Sequence, residues 1–257
     1  MLEPIAIPAL ADNYVWLIRQ PGDPACAVVD PGEAAPVLEA LRERALEPAA
    51  ILITHRHPDH IGGLEALRQR YPQIPVYGPA DEPIPGVDHT LADGDSLRIE
   101  ALASDFDVIA TPGHTLDHIV FHGGGLLLCG DTLFAGGCGR VFEGSHRQMA
   151  ESLARLAPLP PETRGCCGHE YTLANLAFAR TVEPNNETLA ERERAVRDRR
   201  DAGEPSVPFE LSEELETNPF LRCDQPSVRA AAAEHAGREP EDAVDTFAIL
   251  REWKDRF

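Results

Sequence analysis

Thr54-His55-Arg56-His57-Pro58-Asp59-His60 places three imidazoles and one carboxylate within six residues, directly after the apolar run Ala50-Ile51-Leu52-Ile53. Four such donors cannot share one face of a helix or strand. They must fan out from a turn at a strand end, where α/β folds carry their chemistry. Imidazole and carboxylate donors without thiolate suit zinc, iron or manganese in a working site, whereas a closed structural zinc site favours cysteine. Three further donors each stand in a comparable setting. His114 follows Phe106, Val108 and Ile109 in a Thr-Pro-Gly-His-Thr segment, Asp131 follows Leu126, Leu127 and Leu128, and His169 lies in the Gly-flanked turn Cys166 to Tyr171. Singly, each has a plainer reading as a packed or surface histidine, or a turn or helix-cap aspartate. Together, seven donors are too many for one tetrahedral ion and suit two.

The elements that position these donors follow from periodicity. Short β-like runs cover residues 14–18, 26–29, 51–53, 75–77, 97–102, 108–110, 119–121 and 126–128, with helical patterns at 35–44, 64–70 and 146–156. In the last of these Met149, Leu153 and Leu156 share one face and Ser145 is a candidate N-cap. Beyond residue 173 the strand signals stop, and helical windows cover 173–182, 187–201, 227–235 and 241–255 between Pro- and Asn-rich turns. The expected organisation is a domain over residues 1–172, two sheets face to face with outer helices, followed by a small all-helical domain over 173–257.

At 257 residues the chain can bury a full core. Its formal charge of −20 argues against nucleic acid or an anionic membrane as a partner, because the whole-molecule field repels phosphate. An acidic solvated surface, with salt tolerance as one hypothesis, is the simpler account. No window is apolar enough for a membrane span, and the start lacks a signal-peptide pattern. The six cysteines show no zinc or redox spacing, and adjacent Cys166 and Cys167 disfavour a mutual disulfide. A reduced, cytoplasmic protein is expected, with a monomer as the default.

The donor pattern resembles the signature of the metallo-β-lactamase superfamily, His-X-His-X-Asp-His followed by His, Asp and His. That resemblance implies an αββα sandwich in which His55, His57 and His114 hold one metal, Asp59, His60 and His169 a second, and Asp131 bridges them. Within the superfamily the chain is similar to the glyoxalase II family, the hydroxyacylglutathione hydrolases. The segments that carry this are residues 12–18 (Asp-Asn-Tyr-Val-Trp-Leu-Ile), 28–32 (Val-Val-Asp-Pro-Gly), 137–144 (Gly-Cys-Gly-Arg-Val-Phe-Glu-Gly), 168–172, 183–186 and 251–257. The resemblance spans essentially the whole chain, and the 137–144 segment and the tail are its more specific parts.

Arg251 and Lys254, the only lysine, lie three apart on the last helix and can point the same way. From residues alone they could be ordinary solvated charges, with Phe247, Leu250, Trp253 and Phe257 as the docking stripe. The resemblance implies that they hold glutathione, which carries two carboxylates, together with Arg140 and Tyr171. At Phe142 some members have tyrosine, so any contact there is by packing or backbone. Asp30 and His118 are candidates for orienting the metal ligands, with a turn carboxylate and a strand-start histidine as the plain alternatives.

The implied reaction is hydrolysis of S-(R)-lactoylglutathione and related S-2-hydroxyacylglutathiones to glutathione and the hydroxy acid. Two close metals, zinc by expectation with iron or manganese also compatible, lower the pKa of a shared water to roughly 7. The resulting hydroxide attacks the thioester carbonyl, with Asp59 and Asp131 as the catalytic carboxylates. A thiol of pKa about 8.5 leaves without a strong acid. The alternatives are a one-iron persulfide dioxygenase or another hydrolase of the same fold, and a non-catalytic glutathione- or metal-binding protein.

Overall fold

The computed structural model describes residues 1–81 and 83–257 and resolves into two compact units. The first comprises Met1–Thr111, Leu116–Gly130 and Cys166–Glu170, the second Pro112–Thr115, Asp131–Gly165 and Tyr171–Phe257. Compactness thus gives the second unit two stretches that precede residue 173.

The first unit is built on two sheets. One holds six strands in chain order: β1 (Glu3–Ala9), β2 (Asn13–Arg19), β3 (Ala25–Val29), β4 (Glu47–Leu52), β5 (Val76–Pro79) and β6 (His89–Leu91). The pairs β1–β2 and β2–β3 are antiparallel, and β3 to β6 run parallel, with Val28 opposite Ile51. Parallel neighbours need crossovers. These are supplied by α1 (Ala34–Glu43) and then by the pair α2 (Pro58–Ile61) and α3 (Leu64–Arg70). The helices cover the face formed by Val15, Leu17, Val28, Ile51 and Ile53, contributing Val37, Leu41, Leu64 and Leu67 to one buried cluster. The opposite face of β2 is also buried: Trp16 is 2 % exposed and its indole N–H donates to the Cys167 carbonyl at 2.9 Å.

The second sheet of this unit is an antiparallel meander of β7 (Ser96–Ile99), β8 (Ser104–Ala110), β9 (Ile119–Gly123) and β10 (Leu126–Gly130). Gly124 and Gly125 join β9 to β10 with φ of 59° and 82°, the paired left-handed conformation that a two-residue hairpin turn requires.

The second unit contains the hairpin β11 (Leu133–Phe134) and β12 (Gly137–Cys138), then α4 (His146–Leu156). Ser145 caps α4 as expected and completes a reciprocal capping box with Gln148. Strand β13 (Arg164–Cys167) begins here by pairing with β14 (Phe209–Glu210), while its last two residues belong to the first unit. The rest is helical: α5 (Thr172–Val182), α6 (Glu187–Asp201), α7 (Leu211–Thr217), α8 (Pro226–Ala236) and α9 (Ala243–Lys254). Phe178, Phe220 and Phe247 form its aromatic core, with ring centres 6.0 and 5.5 Å apart along the series.

Several expectations are corrected. The strand read to residue 102 ends at Ile99, where a 3-10 turn over Glu100–Leu102 takes over. A strand, β14, does occur beyond residue 173, short and paired through only two residues. The last helix ends at Lys254, so Phe257 lies past it and is 62 % exposed, although its ring stands 5.5 Å from Phe178. Among the described residues no helix is long and apolar enough to cross a membrane.

Candidate metal centre

Strand β4 delivers the chain to Ile53 and Thr54, both fully buried, and His55 follows immediately. His57 is extended and serves as the N-cap of α2, with Pro58 at the first helical position. Proline there needs no N–H and arrives with a helical φ. The turn therefore sends His55 and His57 out ahead of one helical turn that carries Asp59 and His60. Space beneath that turn is made by Gly32, where a Cβ would stand 1.7 Å from the Asp59 carbonyl oxygen. Only glycine permits that approach, which gives the 28–32 segment a physical meaning.

Asp30 is held in the left-handed region, φ 51°. Its carboxylate accepts from the Thr54 N–H at 2.8 Å and the Thr54 hydroxyl at 2.7 Å, and lies 3.1 Å from His60 Nδ1. A carboxylate only accepts, so His60 Nδ1 carries the proton and Nε2 presents its lone pair. Thr54 has given its one proton to Asp30, so at 3.0 Å from His55 Nδ1 it accepts, and His55 is fixed in the same tautomer. His169 repeats the pattern with Asp12 Oδ1 at 2.8 Å. The donor atoms of Asp59, His60 and His169 lie within 4.8 Å of one another, as do those of Asp30, His55 and His60. Because both Asp30 oxygens are already engaged, Asp30 reads as the support of the second group rather than a ligand.

Asn13 donates to Asp59 Oδ2 at 2.9 Å. Asp59 Oδ2 also lies 3.4 Å from His169 Nε2 and 3.5 Å from His60 Nε2, three ligand-type atoms facing one another. His57 packs edge-on to His55, ring centres 4.7 Å apart, and His118 stacks on His55 at 4.8 Å while its Nδ1 meets Thr111 Oγ1 at 2.9 Å. Arg56, between two of the donors, reaches the buried Asp117 at 2.9 Å.

In the second unit His114 and Asp131 stand together, Nε2 to Oδ2 at 3.3 Å. His114 Nδ1 lies 2.8 Å from the Arg140 carbonyl, which again can only accept. The 137–144 segment wraps this pair closely. A Cβ on Gly139 would stand 1.9 Å from the Asp131 carbonyl oxygen, and the Phe142 ring packs edge-on to His114 at 5.2 Å.

The candidate substrate residues also fall in the second unit, apart in environment. Phe142 is 61 % exposed, and Tyr171, at the N-cap of α5, is partly exposed with its ring 5.3 Å from Phe134. The Arg140 side chain is half-exposed, and its Nε donates to Asp255 Oδ1 at 3.1 Å. Arg251 is buried, donating to the Cys138 carbonyl and to Asp255, both at 3.0 Å. The Lys254 ammonium donates to the Ala174 carbonyl at 3.2 Å, and burial, then Arg251, lower its pKa to about 8.

Sequence reasoning singled out neither Asp12, Asn13 and Thr54, which orient donors, nor Asp117 and Asp255, which hold arginines. Asp12, Asn13 and Asp255 sit inside segments quoted for the family resemblance, and that was their only signal.

Comparison with known proteins matches both parts of the chain to family models. Residues 10–169 match the metallo-beta-lactamase superfamily, and residues 170–257 match the hydroxyacylglutathione hydrolase C-terminus. A hydroxyacylglutathione hydrolase of Nitrosomonas europaea is 47% identical over 257 residues, covering 100% of this chain and 97% of the relative. One from Xanthomonas euvesicatoria pv. vesicatoria is 51% identical over 253 residues, 98% of each. The crystal structure of TTHA1623 in a di-iron-bound form superposes with a TM-score of 0.53 at 29% identity, covering 65% of this chain and 91% of that one.

Proposed function

The chain belongs to the hydroxyacylglutathione hydrolase family of the metallo-β-lactamase superfamily, and from that premise we propose that it hydrolyses S-(R)-lactoylglutathione and related S-2-hydroxyacylglutathiones to glutathione and the hydroxy acid. The observation that carries the reading is the tautomer pattern. His55, His60, His114 and His169 each commit Nδ1 to an oxygen acceptor, so that Nε2 is the ligating atom in every case.

This donor set fits divalent metal. We assign His55, His57 and His114 to one ion, Asp59, His60 and His169 to a second, and Asp131 to both. Zinc is the assigned metal; iron or manganese suits the same nitrogen and oxygen donors, and a solved relative is in a di-iron-bound form. When bound, such ions supply an acidified water and an electrophile for the carbonyl oxygen.

The residues of the chain do the rest. Asp59, an anion steadied by Asn13, accepts a proton of the attacking water and so orients it. Asp30 and Asp12 keep His60 and His169 in register, and His118 buttresses His55. Arg140, Arg251 and Lys254 offset the two carboxylates of glutathione, Tyr171 borders that pocket, and Phe142 contributes packing. The carbon–sulfur bond breaks to a thiolate whose conjugate acid has a pKa of about 8.5, so departure needs no strong acid. Residues 1–172 carry the chemistry in this reading, with Arg140, Phe142 and Tyr171 turned to the substrate, and residues 173–257 form the helical glutathione-binding domain that supplies Arg251 and Lys254. All come from one chain, so a monomer suffices, and six buried cysteines suit a reducing cytoplasm.

The test is loss of the S-(R)-lactoylglutathione thioester before and after chelation and zinc add-back, beside a lactam and glutathione persulfide. The expected result is turnover of the thioester alone, falling at least about a hundredfold on chelation and restored by metal. Oxygen uptake with the persulfide and silence on the thioester would overturn the reading.

A further inference from the structure

One carboxylate oxygen in the second unit gathers two of the proposed substrate arginines. Asp255 is the C-cap of α9, and its Oδ1 accepts from Arg251 Nη2 at 3.0 Å and from Arg140 Nε at 3.1 Å. Arg251 Nη1 donates in turn to the Cys138 carbonyl, and its guanidinium lies over the Phe220 ring at 5.1 Å. Cys138 and Arg140 are two residues apart, so these contacts close a ring that locks α9 onto the 137–144 segment.

Three features show what the ring does. A carboxylate at a helix C-terminus opposes the helix dipole, so Asp255 is not placed there to stabilise α9. Without it, two guanidinium groups would share the space uncompensated, and with it the trio keeps a net positive charge. Finally, Asp255 engages Arg140 only through Nε. Among the described residues the two terminal nitrogens of Arg140 make no hydrogen bond, and the side chain is 54% exposed. That outer edge has the fork geometry for bidentate pairing with a carboxylate.

We propose that Asp255 is a positioning residue for substrate: it fixes Arg140 by Nε so that the Nη1/Nη2 edge receives one carboxylate of the glutathionyl group. This rests on the glutathione-thioester reading.

The test uses the metal-loaded full chain with Asp255→Ala and Asp255→Asn. For Asp255→Ala, KM for the thioester rises about tenfold while kcat stays within about twofold, the signature of lost uniform binding. Asp255→Asn, which keeps an accepting oxygen without the charge, falls between. Two analogues, each with one glutathione carboxylate as its amide, give the readout that a merely structural role would not move. One of them costs the wild type about tenfold in KM and costs Asp255→Ala much less, because the paired contact is already lost. An unchanged KM, equal penalties in both proteins, or kcat falling together with melting temperature would overturn the proposal. So would a lower KM, which would make Asp255 a competitor for Arg140. Calorimetric binding of glutathione runs alongside. A wild type that binds glutathione without turning over the thioester sinks the hydrolase reading alone, and one that does neither sinks both.

Discussion

The Lys254 ammonium lies 5.4 Å from the Phe178 ring centre, and burial, followed by the nearby Arg251, lowers its pKa from 10.5 to about 8. Between those two values the unfolded chain holds a proton that the folded chain has lost, so stability rises with pH across that window. Under the proposed role of Lys254, substrate binding runs the other way, because a carboxylate would lose its cationic partner as pH climbs through about 8. KM for the thioester should therefore rise about threefold to tenfold between pH 7 and 9, with Lys254→Arg flattening the profile since guanidinium stays charged. A wild-type KM that is flat over that range would remove Lys254 from the substrate contacts. At this scale the seven proposed donors stood out by residue type and local setting: four crowd into residues 55–60, His114 and Asp131 each follow an apolar run, and His169 sits in a glycine-flanked turn. Their partners did not: His169 is oriented by Asp12, 157 residues away, and His114 by a backbone carbonyl that any residue could supply.

Elements were legible where apolar residues were periodic and hidden where another constraint dominated. The runs behind β2, β4 and β10 are apolar on nearly every residue, as strands buried on both faces must be. Strand β1 carries Pro4 and Pro8, which argue against a central strand but are tolerated at the sheet edge where it lies. The β11–β12 hairpin and β14 have two residues per strand, too few for any alternation to register. Helix α2 is a single turn whose residues were read as metal donors, so its helical state left no separate signal. The close packing of that turn yields a prediction. Gly32→Ala would drive a Cβ against the backbone oxygen of Asp59, and neither main-chain segment can yield without moving the donors. A loss of about 1–3 kcal/mol is expected, as for other overpacked sites, together with weakened metal retention. Thermal melts and metal content per chain after dialysis check it, and a variant with wild-type values for both would show that the turn can relax.

For the whole molecule, the 43 acidic against 23 basic residues decide the response to salt. Two effects compete. Exposed ion pairs such as Arg68–Asp88, Arg98–Asp105 and Arg238–Asp245 weaken as salt is added, yet each contributes only about 0–1 kcal/mol. The uncompensated excess of twenty negative charges repels itself throughout the folded surface. That repulsion acts over longer distances than a contact pair, so it is relieved first as the Debye length falls from about 30 Å at 0.01 M to about 10 Å at 0.1 M. The buried pair of Arg192 with Glu214, which also holds the Gly136 N–H at 2.8 Å, is beyond the reach of screening and stays constant. Repulsion should win, and the melting temperature should rise by a few degrees between about 0.01 and 0.5 M sodium chloride. The comparison is clean only at constant metal loading, since ion loss would lower the melting temperature by itself. A fall over the same range would mean that the surface pairs outweigh the net charge, and that the acidic surface confers no tolerance to salt.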